Sequence, residues 1–287
     1  MNQLTISNKK DFGINEFLTN LTSEHSRRAY KNDLDNFFQF LNSLGFVPQS
    51  PKEVELKHFL AYREALTTRG MAPTSINRKF ASIRSLWSWF RINKHVDENI
   101  LASLKLPKAA VTNPTKAFSD DEVTTIIASE LPGSYRRLIL MFLFYTGMRR
   151  SELVNLNCKH ICKHGSNLIV NIKGKGGKTR QLPLNDKLVI ELNLYLSLNS
   201  RTEDEPLIQA MPGKRLDPTT VYKLIKKYAR DKSPHSCRAT AITKALEAGA
   251  VITDVADMAG HATINTTQIY WKRRRGFEES PVHKLDY

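Results

Sequence analysis

A proline-containing break near residue 110 is the feature that most restricts how this chain can fold. Residues 107–116, PKAAVTNPTK, hold two prolines and two lysines without a regular apolar period, which is typical of an extended linker. Directly afterwards, Ser119-Asp120-Asp121-Glu122 has the spacing of a capping box, so a new helix is predicted to begin there. A chain of 287 residues is long enough for two domains. We therefore predict an N-terminal domain at residues 1–106, a linker at 107–116 and a C-terminal domain at 117–287.

The N-terminal part carries the apolar spacing of amphipathic helices. In Ser26–Leu44 apolar residues recur every three and four positions, and Gly45 follows as a stop signal. Similar patterns cover Val54–Thr68 and the stretch that begins after Pro73, and a short fourth helix is predicted around Asp97–Leu104. Together these patterns predict a compact helical bundle with an exposed face rich in lysine and arginine.

Downstream of the linker the pattern stays mostly helical, with one interruption. Asn167–Leu184 alternates β-branched residues on either side of a glycine-rich turn, which predicts an antiparallel hairpin. The predicted helices cover Ser134–Tyr145, Arg149–Leu156, Asp186–Leu198, Pro218–Arg230, Pro234–Ala248 and shorter pieces after Thr253 and Asn265. The predicted fold class is therefore mainly α: a helical N-terminal domain and a mostly α C-terminal domain with a small antiparallel β-sheet.

The charge of the chain points to an anionic partner. Lysine and arginine number 43 against 28 aspartates and glutamates, which gives a formal net charge of +15. Nucleic acid is the leading candidate, and an anionic membrane surface is its main rival. The longest apolar run, Leu138–Tyr145, is far shorter than the roughly 18 residues that a membrane span needs. No membrane partner is therefore expected.

The compartment is predicted from the N-terminus and the cysteines. The first residues, MNQLTISNKKDFGINEF, are polar and lack the apolar core of a secretory signal. Three cysteines in so long a chain fit reduced thiols better than a disulfide framework. Both features favour the cytoplasm.

Two segments offer cations that suit a phosphate group. In TGMRRSEL, Thr146–Leu153, a glycine breaks one helix and Arg149 stands in the first turn of the next, where its guanidinium can act with free backbone amides. An ion pair with Glu152 or Glu122 is the alternative interpretation of Arg149. In KGKGGK, Lys173–Lys178, glycines allow close approach to a ligand and a lysine is a mobile charge or proton donor.

Two further segments add histidines, a second arginine and a phenol. In SPHSCR a serine suits the N-cap and a proline the first helical position, which puts His235 and Arg238 on one face of the first turn. In HATINTTQIYWKRRR, His261 follows a helix break and Tyr270 lies one short helix further on. A structural tyrosine is the common alternative. A phenol with a pKa of about 10 needs nearby cations to act as a nucleophile at neutral pH, and these segments supply them.

In order and spacing, these motifs closely resemble the tyrosine recombinases, the family of phage integrases and Xer-type resolving enzymes. The resemblance spans nearly the whole chain, because the N-terminal helices also look like the family's core-binding domain. It implies a catalytic domain from Ala117 onward with six catalytic residues: Arg149, Lys175, His235, Arg238, His261 and the nucleophile Tyr270.

The resemblance also implies a mechanism. The two arginines would bracket the non-bridging oxygens of a DNA phosphate, and the two histidines would add hydrogen bonds, with His235 the better candidate to take the phenol proton. Tyr270 would attack to give a 3′-phosphotyrosyl bond while Lys175 protonates the leaving 5′-hydroxyl. Because that bond conserves energy, strands could be exchanged without ATP, cofactor or metal.

Double-stranded DNA is the expected partner, bound by a homotetramer on two duplexes, with accessory DNA-bending proteins possible. The C-terminal tail, Gly276–Tyr287, would dock on a neighbouring protomer by the same resemblance. Because both domains would touch backbone phosphates, binding should weaken steeply with salt. The predicted DNA-binding residues are Arg27, Arg28, Lys31, Arg78, Lys79, Arg84, Lys173, Lys178, Lys272 and Arg273.

The sequence departs from the family pattern at a few positions. Cys237 and Ala239 stand where the family commonly has Leu and His around the second arginine; Cys237 is interpreted as buried packing, and neither is a catalytic position. Ala259 stands where Leu usually precedes the Gly-His pair and is interpreted as a packing change. Lys173 and Lys178 share the hairpin with Lys175 and could reach the same oxygen. Tyr287 is a rival phenol without the surrounding histidine and arginine context.

Other functions are open at this point. The Cys and His spacing in CKHICKH, Cys158–His164, suits zinc, but a second ligand pair is missing nearby, so a packed thiol pair is favoured. A non-catalytic, sequence-specific DNA-binding regulator would need the basic faces but not the six-residue pocket. A type IB topoisomerase would use a similar tyrosine to nick and reseal DNA, with little need to pair two sites.

Overall fold

The structure is a computed structural model of the chain, and it describes residues 12–108, 115–174 and 177–271. The chain divides into two compact units, Met1–Thr112 and Asn113–Tyr287. Most described residues are helical, and the strands form small antiparallel sheets, so the predicted fold class is confirmed. Within the described residues, no helix has both the length and the apolar character that a membrane crossing requires.

The first unit is a helical bundle built on the predicted amphipathic patterns. Its helices are α1 (Ile14–Asn20), α2 (Glu24–Ser43), α3 (Leu56–Thr68) and α4 (Pro73–Ile92). Helix α1 lies in a stretch interpreted from the sequence as merely polar, yet its Phe17 and Leu18 are buried. In the core, the ring of Phe59 stacks on that of Phe37 at 5.2 Å and meets the edge of Trp87 at 4.9 Å. The aromatic stripes of α2, α3 and α4 therefore form one core.

The prediction of a short helix around Asp97–Leu104 is wrong, because this segment forms bends and turns. Arg84 donates hydrogen bonds to the carbonyl oxygens of Leu101 and Leu104, at 3.2 and 2.5 Å. The side chain of Asn99 accepts from the Leu101 amide at 3.1 Å. A helix over Asp97–Leu104 would pair the Leu101 amide with the Asp97 carbonyl, and the Asn99 side chain takes that amide instead, which favours turns.

The second unit is assembled around the apolar helix that contains Leu138–Tyr145. Its helices are α5 (Asp120–Ala128), α6 (Tyr135–Thr146), α7 (Arg150–Val154), α8 (Asp186–Leu198), α9 (Pro218–Tyr228), α10 (Pro234–Glu247), α11 (Ile252–Ala259) and α12 (Ile264–Trp271). The predicted capping box of α5 is present: the Ser119 amide donates to the Glu122 carboxylate at 2.7 Å, and the Glu122 amide donates to the Ser119 hydroxyl at 3.2 Å. Helix α10 packs against α6, α11 and α12.

The predicted hairpin belongs to a larger sheet. Strands β1 (Ile161–His164), β2 (Asn167–Lys173) and β3 (Thr179–Pro183) form an antiparallel sheet in the order β1-β2-β3. The hairpin is β2–β3, in which Lys173 pairs with Thr179. The sequence did not predict β1, nor the separate pair β4 (Gln209–Met211) and β5 (Lys214–Arg215). Strand β3 also packs against α11, which brings the hairpin to the end of that helix.

Candidate active site

Arg238 is the most deeply buried cation of the site. It stands at the start of the second turn of α10, and the helix begins at Pro234 after the N-cap Ser233, as the sequence predicts. Only 2% of Arg238 is exposed, and its guanidinium donates to the carbonyl oxygens of Gly147, at 2.8 Å, and Ala259, at 2.5 Å. Burial and the neighbouring charge of Arg149 lower the pKa of Arg238 to about 10, so the group remains a cation at neutral pH.

Three arginines bind three successive carbonyl groups at the end of α11. Arg180 Nε donates to Met258 O at 3.0 Å, Arg238 Nη2 to Ala259 O, and Arg149 Nη2 to Gly260 O at 3.0 Å. We call these three arginines and three carbonyl groups the arginine frame. The free carbonyl groups and the dipole at a helix C-terminus favour cations at this position. The frame therefore gathers positive charge immediately before His261.

Glu152, in the first turn of α7, balances part of this charge. Its carboxylate, in a residue only 6% exposed, accepts from the amide and the Nη1 of Arg149, both at 2.8 Å, and from Nη1 and Nη2 of Arg180 at 3.0 and 2.8 Å. Burial acts to raise the pKa of Glu152, but the hydrogen bonds from Arg180 and Arg149 outweigh it and hold the pKa below its usual range. The ion pair considered as one interpretation of Arg149 is thus present. It leaves other N–H groups of that guanidinium to bind a ligand.

Arg180 is the residue of the site that the sequence analysis missed. It lies on β3 two residues before the buried Leu182, and therefore on the inward face of an alternating strand. An arginine on an inward face needs an anionic or carbonyl partner. That signal was available in the sequence, although the identity of the partners, Glu152 and Met258, was not.

His261 follows the glycine that ends α11. Gly260 has a φ of +64°, and His261 Nδ1 lies 2.7 Å from the Thr267 hydroxyl. Burial and the positive charges of Arg238 and Arg149 lower the pKa of His261 to about 4. At neutral pH the imidazole is therefore uncharged and can both donate and accept hydrogen bonds.

Tyr270, on α12, lies against His261. The two rings are nearly parallel, 11° apart, with 6.4 Å between their centroids. Tyr270 is 8% exposed and belongs to an apolar cluster with Ala239 and with Ala259, the latter a position interpreted as a packing change. Its charge state also influences Arg238, because the phenolate form would raise the pKa of that guanidinium. The phenol is thus within electrostatic reach of the frame.

His235, in the first turn of α10, precedes Arg238 by three residues but is exposed. Partial desolvation and the charges of Arg238 and Arg149 lower its pKa, so it too is predominantly neutral at pH 7. Five of the six predicted catalytic residues are therefore close enough to influence one another through contacts or charge: Arg149, His235, Arg238, His261 and Tyr270.

The sixth residue, Lys175, lies outside the described residues. The hairpin does approach the site just before it: a Cβ added to Gly174 would lie 3.7 Å from both Glu152 Oε1 and Arg180 Nη1. Gly174 also donates from its amide to Lys178 O at 2.7 Å, which closes the turn. The backbone that leads into Lys175 therefore lies beside the arginine frame.

Comparison with known proteins agrees with this geometry. Residues 116–275 match the phage integrase family, and residues 14–93 match its N-terminal SAM-like domain. The tyrosine recombinase XerA of Pyrococcus furiosus is 31% identical over 266 residues, which cover 90% of this chain and 88% of the relative.

The chain belongs to the phage integrase family. The family predicted from the motifs is thereby confirmed. Another member, the tyrosine recombinase XerD of Halalkalibacterium halodurans, is 31% identical over 263 residues, which cover 86% of this chain and 87% of the relative.

Solved structures of family members share the fold. A lambda integrase dimer bound to a COC′ core site superposes with a TM-score of 0.72, covering 92% of this chain and 94% of that one at 14% identity. XerH recombinase in a post-cleavage complex with palindromic difH DNA gives a TM-score of 0.68, covering 91% of this chain and 80% of that one at 20% identity. At these identities the likeness concerns the fold.

The predicted DNA-binding residues of the first unit differ in their surroundings. Arg27, Arg28 and Lys31 are exposed on α2. On α4, Arg78 and Lys79 bind the fully buried carboxylate of Asp33, at 2.5 and 3.3 Å, and Arg84 binds the carbonyl groups described above. Arg78 is exposed, whereas Lys79 and Arg84 are half-buried. The α2 cations and Arg78 are thus exposed, whereas Lys79 and Arg84 stabilise the bundle, and a DNA contact at any of these residues stays a prediction.

The remaining predicted DNA contacts lie in the second unit. Lys173 and Lys178, on the two sides of the hairpin turn, are exposed. Lys272, Arg273 and the tail with Tyr287 lie outside the described residues. Their roles stay predictions.

The cysteine and histidine cluster Cys158–His164 has local protein partners. His160 Nδ1 accepts from the Asn157 amide at 2.8 Å, and the Cys162 thiol accepts from Asn171 Nδ2 at 3.3 Å. Within residues 12–108, 115–174 and 177–271, no group of three histidine, cysteine or acidic side chains is arranged to hold a metal ion. All three cysteines are free thiols, and burial raises the pKa of Cys237, which suits the packing role expected for it.

Proposed function

We propose that this protein is a site-specific DNA recombinase in which Tyr270 cleaves and rejoins strands through a 3′-phosphotyrosyl intermediate. Family membership supports recombination as the class of reaction, since relatives of this chain are named tyrosine recombinases. One observation carries the assignment of residues. Arg149 and Arg238 are anchored to the carbonyl groups that directly precede His261, and the ring of His261 lies parallel to that of Tyr270.

The arginines bind the scissile phosphate. Their remaining N–H groups donate to the two non-bridging oxygens, where negative charge builds as phosphorus becomes pentacoordinate. Because both guanidinium groups are already fixed by backbone carbonyls, little reorganisation is needed when that charge develops. Neutral His261, oriented through Thr267, adds a hydrogen bond to the same phosphate without repelling the two arginines.

The cleavage step forms one bond and breaks another. The Tyr270 oxygen attacks phosphorus, the bond between phosphorus and the 5′ oxygen breaks, and the 5′-hydroxyl leaves with a proton. His235, exposed and predominantly neutral, takes the phenol proton. Lys175 supplies the proton to the leaving oxygen, an assignment supported by the approach of Gly174 to the arginine frame. Attack of a 5′-hydroxyl from a second duplex reverses the step and joins new strands.

The partners of this reaction are double-stranded DNA and further copies of the chain. Solved relatives include lambda integrase as a dimer on a core site and as a tetramer on a Holliday junction. A homotetramer on two duplexes, accessory DNA-bending proteins and a cytoplasmic location complete the proposal. The proposed reaction uses no metal and no organic cofactor, since protein side chains supply each proton and charge.

A suicide-substrate assay tests the nucleophile. A nicked duplex, built on DNA selected for binding to this protein, loses a short 5′-hydroxyl fragment after cleavage and traps the covalent intermediate. Wild type should form a covalent band on a denaturing gel, whereas Tyr270→Phe should bind the duplex equally but form none. Tyr222→Phe is the matched control, because Tyr222 is 39% exposed with its ring 5.8 Å from the Arg150 guanidinium, yet has no assigned role.

The alternatives give different results. If wild type binds the selected site but forms no covalent band, the non-catalytic regulator replaces the recombinase. If it forms the band and relaxes a supercoiled plasmid with two sites without yielding recombinant products, a type IB topoisomerase activity is the better description.

A further inference from the structure

We infer that Arg180 is a positioning residue for strand cleavage, which fixes Arg149 relative to the Gly260–His261 turn without itself touching the phosphate. This inference rests on the proposed function of the same site. It assigns a role to a residue that lies outside the six catalytic positions.

Arg180 connects two elements that each carry part of the chemistry. Its two Nη atoms bind both oxygens of Glu152, which in turn accepts hydrogen bonds from Arg149. Its Nε binds Met258 O, two residues before Gly260. A planar guanidinium can make these contacts together, because its N–H groups diverge in a fixed geometry. Arg180 therefore sets the distance between α7 and the end of α11.

Hydrogen bonding, together with exposure, separates the role of Arg180 from those of Arg149 and Arg238. All three guanidinium nitrogens of Arg180 donate to Glu152 or Met258 O, whereas the side chains of Arg149 and Arg238 are anchored through Nη1 and Nη2. The side chain of Arg180 is 13% exposed, whereas that of Arg149 is 37% exposed. Each Nη of Arg180 is committed to the carboxylate. Arg149 thus offers the accessible surface to DNA, and Arg180 lies behind it as support.

Close backbone packing fixes Arg180 in turn. A Cβ added to Gly260 would lie 2.8 Å from Arg180 Nη1 and 3.1 Å from its Cζ. A Cβ added to Gly174 would lie 3.7 Å from the same Nη1. At Gly174 that distance is an ordinary van der Waals contact, but at Gly260 only glycine lets the backbone approach the guanidinium this closely, so the α11 turn packs tightly against Arg180.

The charge of the site explains why hydrogen bonds are needed to fix the position of Arg149. Arg149, Arg180 and Arg238 lie near a single buried carboxylate, and the cations repel one another, as the effects of Arg149 and Arg180 on the pKa of Arg238 indicate. Without Arg180, Glu152 keeps Arg149 as its partner, and α7 stays tied to the end of α11 through Arg149 and Gly260 O but no longer through Met258 O. A displacement of about 1 Å at a catalytic group is enough to slow a reaction about 100-fold.

The test is single-turnover cleavage of the suicide duplex by Arg180→Gln. We expect the cleavage rate to fall about 10- to 100-fold. Affinity for the duplex should stay within about twofold of wild type, because Arg180 is not a phosphate ligand. The matched control is Arg137→Gln, since Arg137 also binds a buried glutamate, Glu191, and carbonyl groups at a helix end, but belongs to neither α7 nor α11. It should lower thermal stability comparably and leave the rate unchanged.

A double variant shows whether Arg180 acts through Glu152. If it does, Glu152→Gln/Arg180→Gln should cleave no more slowly than Glu152→Gln alone, whereas independent contributions would multiply. A substrate with sulfur in place of the bridging 5′ oxygen needs no proton donor, so it should rescue Lys175→Ala but not Arg180→Gln. Rescue of Arg180→Gln would overturn the assignment to Arg149 and His261.

The remaining outcomes are also decisive. If Arg180→Gln does not fold, Arg180→Lys keeps the charge but cannot hold both Glu152 oxygens and Met258 O, and it should cleave about tenfold more slowly. If either variant folds and cleaves at the wild-type rate, the inference about Arg180 is wrong, while the proposed function is unaffected. Failure of wild type to form any covalent complex overturns the proposed function and this inference with it.

Discussion

Two arginine–glutamate clusters in the second unit are built from the same kinds of contact but differ in role. At one, Arg137 donates to the buried Glu191 at 3.0 Å and to the carbonyl oxygens of Ile127 and Glu130 at the end of α5. At the other, Arg180 donates to the buried Glu152 and to Met258 O at the end of α11. In each, an arginine joins a buried carboxylate to a helix C-terminus, and a glycine with positive φ lies alongside: Gly133 at the first and Gly260 at the second.

The two clusters differ in how their charge is balanced. Arg137 pairs with Glu191, and the Gly133 amide completes the coordination of that carboxylate at 2.8 Å. Glu152 faces two arginines, with Arg238 bound to the next carbonyl group along α11. A balanced cluster holds structural elements together, whereas a surplus of fixed cations favours an anion from outside the protein. In the proposed function, that surplus is why the second cluster binds the scissile phosphate.

The strongest test of this difference between the clusters is to remove one guanidinium from each. Arg238→Lys should reduce the rate of covalent-complex formation about 100- to 1,000-fold, as expected when a donor to a transition-state oxyanion is lost. Arg137→Lys should change that rate less than about twofold, because its cluster does not meet the phosphate. Single-turnover cleavage of the suicide duplex measures both rates. Equal losses in the two variants would mean that the rate reports stability rather than phosphate contact.

Alanine at the two glycines gives a smaller contrast. Both substitutions place a side chain at positive φ, which costs about 1–2 kcal/mol of folding free energy. At Gly133 the new Cβ meets the end of the Leu198 side chain, which is 64% exposed and can move aside. At Gly260 it meets the fixed guanidinium of Arg180 at 2.8 Å. Gly260→Ala should therefore also cleave about tenfold more slowly, and Gly133→Ala should not. Similar cleavage rates would show that the Gly260 contact does not matter.

The smallest expected effect is on the pH dependence of stability. The pKa of His261 is about 4 in the folded protein and about 6.5 in an unfolded chain. Above pH 6.5 both states are neutral and the residue carries no penalty. As pH falls toward 4, the unfolded state binds a proton that the folded state does not, so stability falls.

Because the imidazole is half-buried and solvent screens part of its charge, the full effect of the shift is reduced, and His261→Asn should lower the loss of melting temperature between pH 7 and 4.5 by about 2–4 °C. Arg137→Gln should leave that loss unchanged, because its cluster does not contribute to the lowered pKa of His261. Calorimetry across this pH range measures both variants. A His261→Asn protein with the acid sensitivity of wild type would contradict the lowered pKa.

The sequence predicted the site from local features that can be recognised without knowing the fold. The helix breaks at Gly147 and Gly260 and the first turn of α10 are local features, and they are present as predicted. Arg180 escaped because its role depends on partners from two other elements, Glu152 and Met258. Such contacts join residues far apart in the chain, which periodicity cannot reveal.

The same limit explains the wrong helix at Asp97–Leu104. Its composition permits a helix, but the Asn99 side chain binds the Leu101 amide, which a helix would pair with the Asp97 carbonyl. The short strands β1, β4 and β5 were missed for a related reason. Each is four residues or fewer, too short for an alternating pattern to stand out.

The most direct test of the central claim is to identify the residue that carries the DNA. The covalent complex formed with the suicide duplex can be digested with nuclease and trypsin, and the nucleotide-bearing peptide sequenced by mass spectrometry. The account predicts a phosphotyrosyl nucleotide at Tyr270. A nucleotide on Tyr287 or on any other residue would contradict it and would remove the arginine frame from the centre of the reaction.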